Sequence, residues 1–494
     1  MKKTDINLVP DIDNPSPDYY CTWQTQLYAT SDGKPKAQRA AIGEKGLFGK
    51  EKPYGWAYFY KEARRDLILV MDDSWDVPVP EDPLRFGSLK LDPGKFPEAT
   101  SCADTAEAQR RLSERIRGLG WKGIGGWVCA QEAGEMLTDI EEQEAYWKKR
   151  LKDAHHAGIL YWKVDWGRKG RSEAFRNMLT TLGRMHAPML TIEHAMIPEI
   201  LSHCDVYRTY DVPALMSIPM TMEKLAEISM RVPSGGDGKR LINCEDEAYI
   251  AAAGGFSMGI MRHPYQGAFP NGKPDMSFPA LHRNLKTKMY EIVRAVRWHR
   301  LAPAFDIGYG ETRISELRLC DTWNLIDTEA EIEAWWLDHP LIKDSKEGDT
   351  IVKSAPHGFA RNCDMPLVLP DEKGDMPYVV AARNPNGAYS IASLGRTRER
   401  RYWIPRCDIT LNVGESRLIA AFGEYGSLNL RTSLFSVSSV WMQDLAGDTA
   451  YDVTDRVEWL GDMIRIPGEL IKKIGTAVQP DGDTSEPGVV IRLN

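Results

Sequence analysis

ILYWKVDWGRKGRSEAFRNMLTTLGRMHAPMLTIEHA, residues 159–195, places an apolar run, an amphipathic segment and a second apolar run end to end. ILYWKVD (159–165) is rich in β-forming residues and predicts a strand. SEAFRNMLTTLGRMH (172–186) predicts a helix, and MLTIEHA (189–195) predicts the next strand. A helix inserted between two strands returns the chain for a parallel pairing, so this stretch reads as one unit of an α/β fold.

The same beat extends in both directions. Upstream lie the strand LILVMDD (67–73) and the helical TAEAQRRLSERIRGLG (105–120), with Leu112, Ile116 and Leu119 at helical spacing. The strand IGGWVCA (124–130) and the helix DIEEQEAYWKKRLKDAHHAG (139–158), closed by Gly158, come next. Downstream, a short helical IPEILSHC precedes the strand DVYRTYD (205–211) and ALMSIPMTMEKLAEISMRV (214–232), a helical pattern broken by Pro219. The strands RLINCED (240–246) and FSMGIMRHP (256–264) flank a short helical EAYIAAAGG, and a long helix is expected over 278–301. With an early strand near YYCTWQT (19–25), eight units fit, which predicts a closed (β/α)8 TIM barrel over about residues 15–302. An open doubly wound sheet is the alternative, but no GxGxxG follows a first strand.

Past residue 302 the texture changes. Residues 303–350 are mixed and acidic, and from 351 the strands VVAARN, AYSIASL, RYWIP, RLIAAFG, LFSVSSVWM and GVVIRLN are separated by turn signals such as NPNG and PDGD. The expected organisation is a barrel with an N-terminal extension over 1–302, a connector over 303–350 and an antiparallel β-sandwich over 351–494.

Composition narrows the function. The 494 residues are 43% hydrophobic and 27% charged, which supports a sizeable folded core rather than disorder. Acids outnumber bases 70 to 62, a net charge of −8 that disfavours general nucleic-acid binding. No stretch approaches the length and apolarity of a transmembrane helix. No signal peptide is visible behind MKKTDINLVPDIDNPSPD, which points to the cytoplasm, or to the periplasm or exterior if a signal has been removed. Eight scattered cysteines without a CxxC pair predict free, buried thiols and no zinc site. Fifteen tryptophans serve core packing first, but an indole face also suits the C–H face of a sugar.

In such a barrel the chemistry sits at the C-terminal ends of the strands. The polar or aromatic residues closing the expected strands are Trp23 and Gln24; Asp72, Asp73 and Trp75; Trp127; Lys163 and Asp165; Glu193 and His194; Arg208 and Asp211; Asn243, Glu245 and Asp246; Arg262 and His263. Carboxylates from several strands would then share one mouth, where like charges raise pKa values. Glycoside hydrolysis requires two carboxyl groups, one attacking or activating water and the other protonating the leaving oxygen. Asp165, beside the cation Lys163, is the expected nucleophile, and Asp211, behind Arg208, the expected acid/base partner. The plainer readings are a strand-end carboxylate for Asp165, a helix cap for Asp211 and a salt bridge from Lys163 to one of the Asp72–Asp73 pair. Glu193 could equally serve as a partner of Lys163 or Arg208, and the cluster Glu245, Asp246 and Glu247 reads as helix-start charge.

LVMDDSW (69–75), LYWKVDWG (160–167) and VYRTYDV (206–212), in this order and spacing, resemble three signatures of the retaining α-galactosidase clan, glycoside hydrolase families 27 and 36. RLINCEDEAYIAAAGG (240–255) is similar to the clan's NDPDML region. The resemblance implies a TIM barrel followed by a β-sandwich, Asp165 as nucleophile and Asp211 as acid/base. It further implies that Asp72 and Asp73 receive sugar hydroxyls, that Lys163 stands beside the nucleophile, that Arg208 reaches the 2-hydroxyl, and that Trp23 and Trp127 wall the pocket. Trp75 and Glu193 complete the expected substrate contacts. The sequence departs from the clan at Ser74, where a Gly is usual, at Trp166, where Asn follows the nucleophile, and at Glu193 and His194. Those changes weaken the galactose assignment. The expected activity is therefore a retaining exo-glycosidase on terminal α-galactosyl or galactose-like residues, with a β-L-arabinopyranosidase, a modified-galactose glycosidase or a non-catalytic glycan-binding barrel as alternatives. A carbohydrate is the expected partner, with no nucleic acid, membrane, metal or organic cofactor, and with homo-oligomerisation left open.

Overall fold

The computed structural model describes residues 2–30, 39–77, 88–102, 104–133, 137–209, 216–232, 235–265, 268–272, 288–326, 345–434 and 437–494. Eight strands form a closed parallel barrel: β1 (Tyr19–Cys21), β2 (Ile68–Met71), β3 (Gly123–Val128), β4 (Tyr161–Val164), β5 (Thr191–His194), β6 (Val206–Arg208), β7 (Leu241–Glu245) and β8 (Ser257–Ile260). β8 closes on β1, with Tyr19 opposite Gly259 and Tyr20 opposite Ile260.

The helices around it are α1 (Trp23–Thr30), α2 (Thr105–Gly118), α3 (Ile140–His156), α4 (Glu173–His186), α5 (Ser217–Ser229), α6 (Ala248–Gly254) and α7 (Met289–Leu301). Asp104, Asp139 and Ser172 cap α2, α3 and α4 by accepting the backbone N–H of Glu107, Glu142 and Phe175, which fixes where each helix starts. Between β5 and β6 only the 3-10 turn Pro198–Ser202 intervenes.

Two local expectations change, and a third is described only in part. The first strand ends at Cys21, because the chain turns at Thr22 and Trp23 already opens α1. Pro219 does not break a helix: α5 begins at Ser217, so the proline occupies its first turn, where an N–H has no intrahelical acceptor to lose. Only Met289–Leu301 of the long helix expected over 278–301 lies among the described residues.

Strand parity sorts the barrel side chains. Tyr19, Cys21, Ile68, Val70 and Tyr161 gather inside, whereas Leu69, Met71, Trp162, Val164 and Ile192 join the core beneath the helices. Because successive residues alternate, every second residue at a strand end faces the mouth.

The C-terminal region packs a nine-stranded sheet against a five-stranded one. Val379, Ala381, Ile391, Ile419 and Val489 of the first meet Ile409, Leu411, Leu428, Leu430, Ile464 and Ile466 of the second in one buried cluster, the core of a β-sandwich. Thr312–Ile314 forms an edge of the nine-stranded sheet, and Arg318–Asn324 pairs with Thr350–Pro356. At the other edge Lys2–Lys3 pairs with Tyr451–Asp452. The alanine-rich α6 lets the barrel approach this sheet closely, with Tyr249 against Phe422 at 4.8 Å and Ser390 Oγ donating to the Ala253 carbonyl at 2.9 Å. Arg361, fully buried, donates to the carbonyls of Gly254, Gly255, Phe305 and Asp306 and lies against the rings of Phe256 and Phe305. Arg294 joins Asp444 at 2.9 and 3.2 Å across the same boundary.

All eight cysteines are free: Cys21, Cys129, Cys204, Cys244 and Cys407 are buried as expected, while Cys102 and Cys363 are half-buried and Cys320 is exposed. Among the described residues no helix is long and apolar enough to cross a membrane.

Candidate active site

The C-terminal ends of the barrel strands bring Asp72, Trp127, Lys163, Asp165, Glu193, Arg208 and Glu245 to one mouth. Most are almost completely buried, yet the Asp165 side chain keeps 12% of its surface open. Its two oxygens are held separately: Arg208 Nη2 donates to Oδ1 at 3.1 Å and Trp127 Nε1 donates to Oδ2 at 3.0 Å. Burial alone would raise the Asp165 pKa, but Arg208, then Lys163, then the Trp127 N–H outweigh it and hold the carboxyl below its ordinary value.

Arg208 is the hub of the mouth. Its guanidinium lies 3.1 Å from Asp165, 3.5 Å from Glu193 and 3.2 Å from Glu245. Burial works against its charge, and these three carboxylates more than offset that. Of the two expected places for Lys163, beside Asp165 or in a salt bridge to the Asp72–Asp73 pair, its Nζ takes the second, bonding Asp72 at 2.8 Å, with Cys21 Sγ 3.5 Å away. Asp72 Oδ2 also accepts from the Cys21 thiol, and its backbone N–H donates to Thr22 Oγ1 at 2.9 Å. Lys163 therefore reaches Asp165 through its field rather than by contact.

Glu193 and His194 part company by parity. Glu193 faces inward, accepting from Tyr161 OH at 2.7 Å and, at longer range, from Tyr19 OH. Burial raises its pKa against the pull of Arg208 and Lys163. His194 faces α4, with Nδ1 3.0 Å from Arg176 and Nε2 2.7 Å from Thr180 Oγ1, so it belongs to the outer wall. Arg176 also grips the backbone carbonyls of Val164 and Asp165, fixing where β4 ends.

Asp73 follows one residue behind Asp72 and is held by Arg39 Nε at 3.2 Å and Ser74 Oγ at 2.8 Å. Burial pushes its carboxyl up to about 6, with Arg39 opposing. Asp76 is raised to about 6 for the same reason. The elevated carboxyls at the mouth thus owe their shifts chiefly to burial, not to the like-charge crowding expected from the sequence.

Trp75 is 3% exposed, donates its N–H to the Trp127 carbonyl at 2.9 Å and lies on Gly126, where an added Cβ would come within 2.9 Å of the ring. Trp127 is 1% exposed and meets the mouth through its N–H. Trp23 is half-buried and packs on the inner cluster of Tyr19, Cys21 and Val70. Asp211 lies outside the described residues.

Glu245 is the main partner that reading the sequence undervalued; its position closing β7 was the available signal. The neighbouring carboxylates go elsewhere: Asp246 accepts the backbone N–H of Met261 and Arg262, and Glu247 accepts from Ser217 Oγ. Tyr19 and Arg39 lie in no motif, and Tyr161 lies inside LYWKVDWG, where the resemblance implies no role for it. Among the described residues no group of three or more His, Cys, Asp or Glu side chains is arranged to hold a metal ion.

No family model matches this chain, and no curated protein matches it. Solved structures do resemble it. A family 27 β-L-arabinopyranosidase from Geobacillus stearothermophilus is similar at 9% identity over 97% of this chain and 96% of that one, with a TM-score of 0.45. A putative α-galactosidase from Bacteroides fragilis is similar at 10% identity over 99% of this chain and 80% of that one, with a TM-score of 0.39. A family 36 α-galactosidase from Geobacillus stearothermophilus is similar at 11% identity over 61% of this chain and 44% of that one, with a TM-score of 0.37.

Proposed function

We propose that the barrel mouth is the active site of a retaining exo-glycosidase acting on terminal α-galactosyl or galactose-like residues. The observation that carries this reading is Asp165: a carboxylate kept ionised by Arg208 and Trp127, with part of its surface open at the mouth. Such a group is suited to attack an anomeric carbon, because its charge is available without a prior deprotonation. In the first step an Asp165 oxygen bonds to the anomeric carbon as the glycosidic bond breaks, and Asp211 gives its proton to the departing oxygen. In the second step Asp211 takes a proton from water, whose oxygen displaces Asp165. Arg208 holds the nucleophile and the 2-hydroxyl side of the sugar, while Asp72 and Asp73 receive the hydroxyls at its far end.

The test is hydrolysis of a panel of aryl glycosides, including the α-galactoside and the β-L-arabinopyranoside, by the wild type, Asp165→Asn and Asp211→Asn. Release by the wild type with loss in both variants is expected. Full activity in Asp165→Asn overturns the mechanism. Cleavage of the arabinopyranoside alone corrects the sugar and leaves the mechanism standing. Binding of glycans without any release, unaffected by Asp165→Asn, identifies a lectin-like barrel instead.

A further inference from the structure

Trp166 has no assigned role in the site described above, yet it is the strand-end tryptophan most open to solvent. Its exposure is 38%, against 3% for Trp75 and 1% for Trp127. It directly follows Asp165, one residue further out of the barrel, and its ring meets the edge of Trp127 at 5.7 Å and 61°. Trp127 in turn bonds Asp165, so the exposed indole is two contacts from the reacting carboxylate.

The backbone beneath it is pinned. The Trp166 carbonyl accepts from Ala130 N at 2.9 Å and from Cys129 Sγ at 3.3 Å, and Lys169 N donates back to the Ala130 carbonyl at 2.9 Å. Gly167 has φ +151°, and a Cβ there would lie 2.8 Å from the Ala130 backbone, so only glycine permits this approach of the loops after β3 and β4. A large aromatic face held out to solvent on a fixed backbone loses little freedom when a ligand covers it.

We propose that Trp166 is the platform on which the leaving sugar of the substrate stacks, a specificity determinant that rests on the glycosidase reading above. The ring being cut occupies the enclosed layer at Asp72, Lys163 and Arg208, and the departing ring projects outward, to the level of the indole. Its apolar C–H face covers the indole, which favours oligosaccharide substrates over those with no sugar beyond the scissile bond.

Two probes with the same glycon separate the alternatives: α-galactosyl fluoride, with no leaving sugar, and melibiose, with glucose as leaving group. In Trp166→Ala the ratio of kcat/KM for melibiose to that for the fluoride falls about tenfold, the scale of one lost stacking contact. Trp166→Tyr restores most of the ratio, and Trp166→Leu, which keeps apolar bulk without a π face, does not. A ratio that stays at the wild-type value in Trp166→Ala and Trp166→Leu overturns the proposal while the hydrolase reading stands. If the wild type hydrolyses neither probe but cleaves the β-L-arabinopyranoside, the same ratio is read on the arabinopyranosyl fluoride and an arabinopyranosyl disaccharide; a wild type that hydrolyses no glycoside removes the hydrolase reading, and the platform with it.

Discussion

Replacing Arg208 by Met tests how the mouth is held together. The guanidinium serves Asp165, Glu193 and Glu245 at 3.1, 3.5 and 3.2 Å, and it is 1% exposed as a side chain. One ion pair at such a distance is worth about 4 kcal/mol before desolvation at an effective dielectric of about 20. Breaking a buried pair by removing one partner costs roughly 3–5 kcal/mol, because the surviving charge is left without compensation. About 4 kcal/mol of lost stability near pH 7 is therefore expected for Arg208→Met. The pH dependence carries the sharper test. In the wild type the Asp165 carboxyl sits below its ordinary value, so its contribution is present above that value and is lost as pH falls through the lowered one. Without Arg208, burial dominates and raises the same carboxyl, so the variant loses stability as pH rises. The two stability curves must converge on acidification, as protons replace the missing cation. Urea denaturation from about pH 7 down to about pH 5 reads this directly. A deficit below about 1 kcal/mol, or one that is the same at both ends of the range, refutes the reasoning.

Three further outcomes are expected. Trp127→Phe removes the N–H from Asp165 Oδ2, costs roughly 2 kcal/mol in urea denaturation and moves the acidic limb of the proposed hydrolysis to higher pH. Asp76, raised by burial from 3.8 to about 6, makes the wild type lose roughly 3 kcal/mol as pH rises from about 4 to about 6; Asp76→Asn should flatten that slope in a pH series of melts. Arg361→Met removes the guanidinium from four carbonyls, of which Gly255 and Asp306 keep a backbone N–H from Phe305 and Tyr309, and should cost roughly 3 kcal/mol, seen in scanning calorimetry as a lower Tm.

The barrel was legible because the strands carry both a β-forming run and a polar terminus, and α2, α3 and α4 begin at Asp or Ser caps. Which terminal residue faces inward was also latent in the period of two, as Glu193 and His194 illustrate. What was not legible depends on contacts between distant segments. Arg39 reaches Asp73 from the long connection between β1 and β2, and no local pattern announces it. The Lys163–Asp72 salt bridge was one of two readings the sequence offered; the registers decide it, since Val70 stands opposite Gly125 and Gly125 opposite Tyr161, which puts Asp72 and Lys163 in one layer. Ser74, which stands where the resembled clan has Gly, does adopt the left-handed backbone that glycine would favour, at φ +74°. In the sandwich, DITLNVG (408–414) forms a strand with Ile409, Leu411 and Val413 alternating inward, a weaker signal than the continuous apolar runs on either side of it. The identity of the sugar is harder to read, since it turns on small changes in ring contacts that leave both fold and charge unaltered.

The short pairing of Lys2–Lys3 with Tyr451–Asp452 has a consequence for the order of assembly. Thr4 adds a backbone and a hydroxyl hydrogen bond to the Ala450 carbonyl, and Leu8 N donates to Gln443. The Thr4 and Ala450 partners stand 446 residues apart with the whole barrel between them, so this contact closes a very long loop and gains from the barrel having formed first. The edge of the large sheet is covered only when it arrives. Until then, that edge is open to pairing with a strand from another copy, so the short N-terminal strand guards the sheet against association as well as completing it.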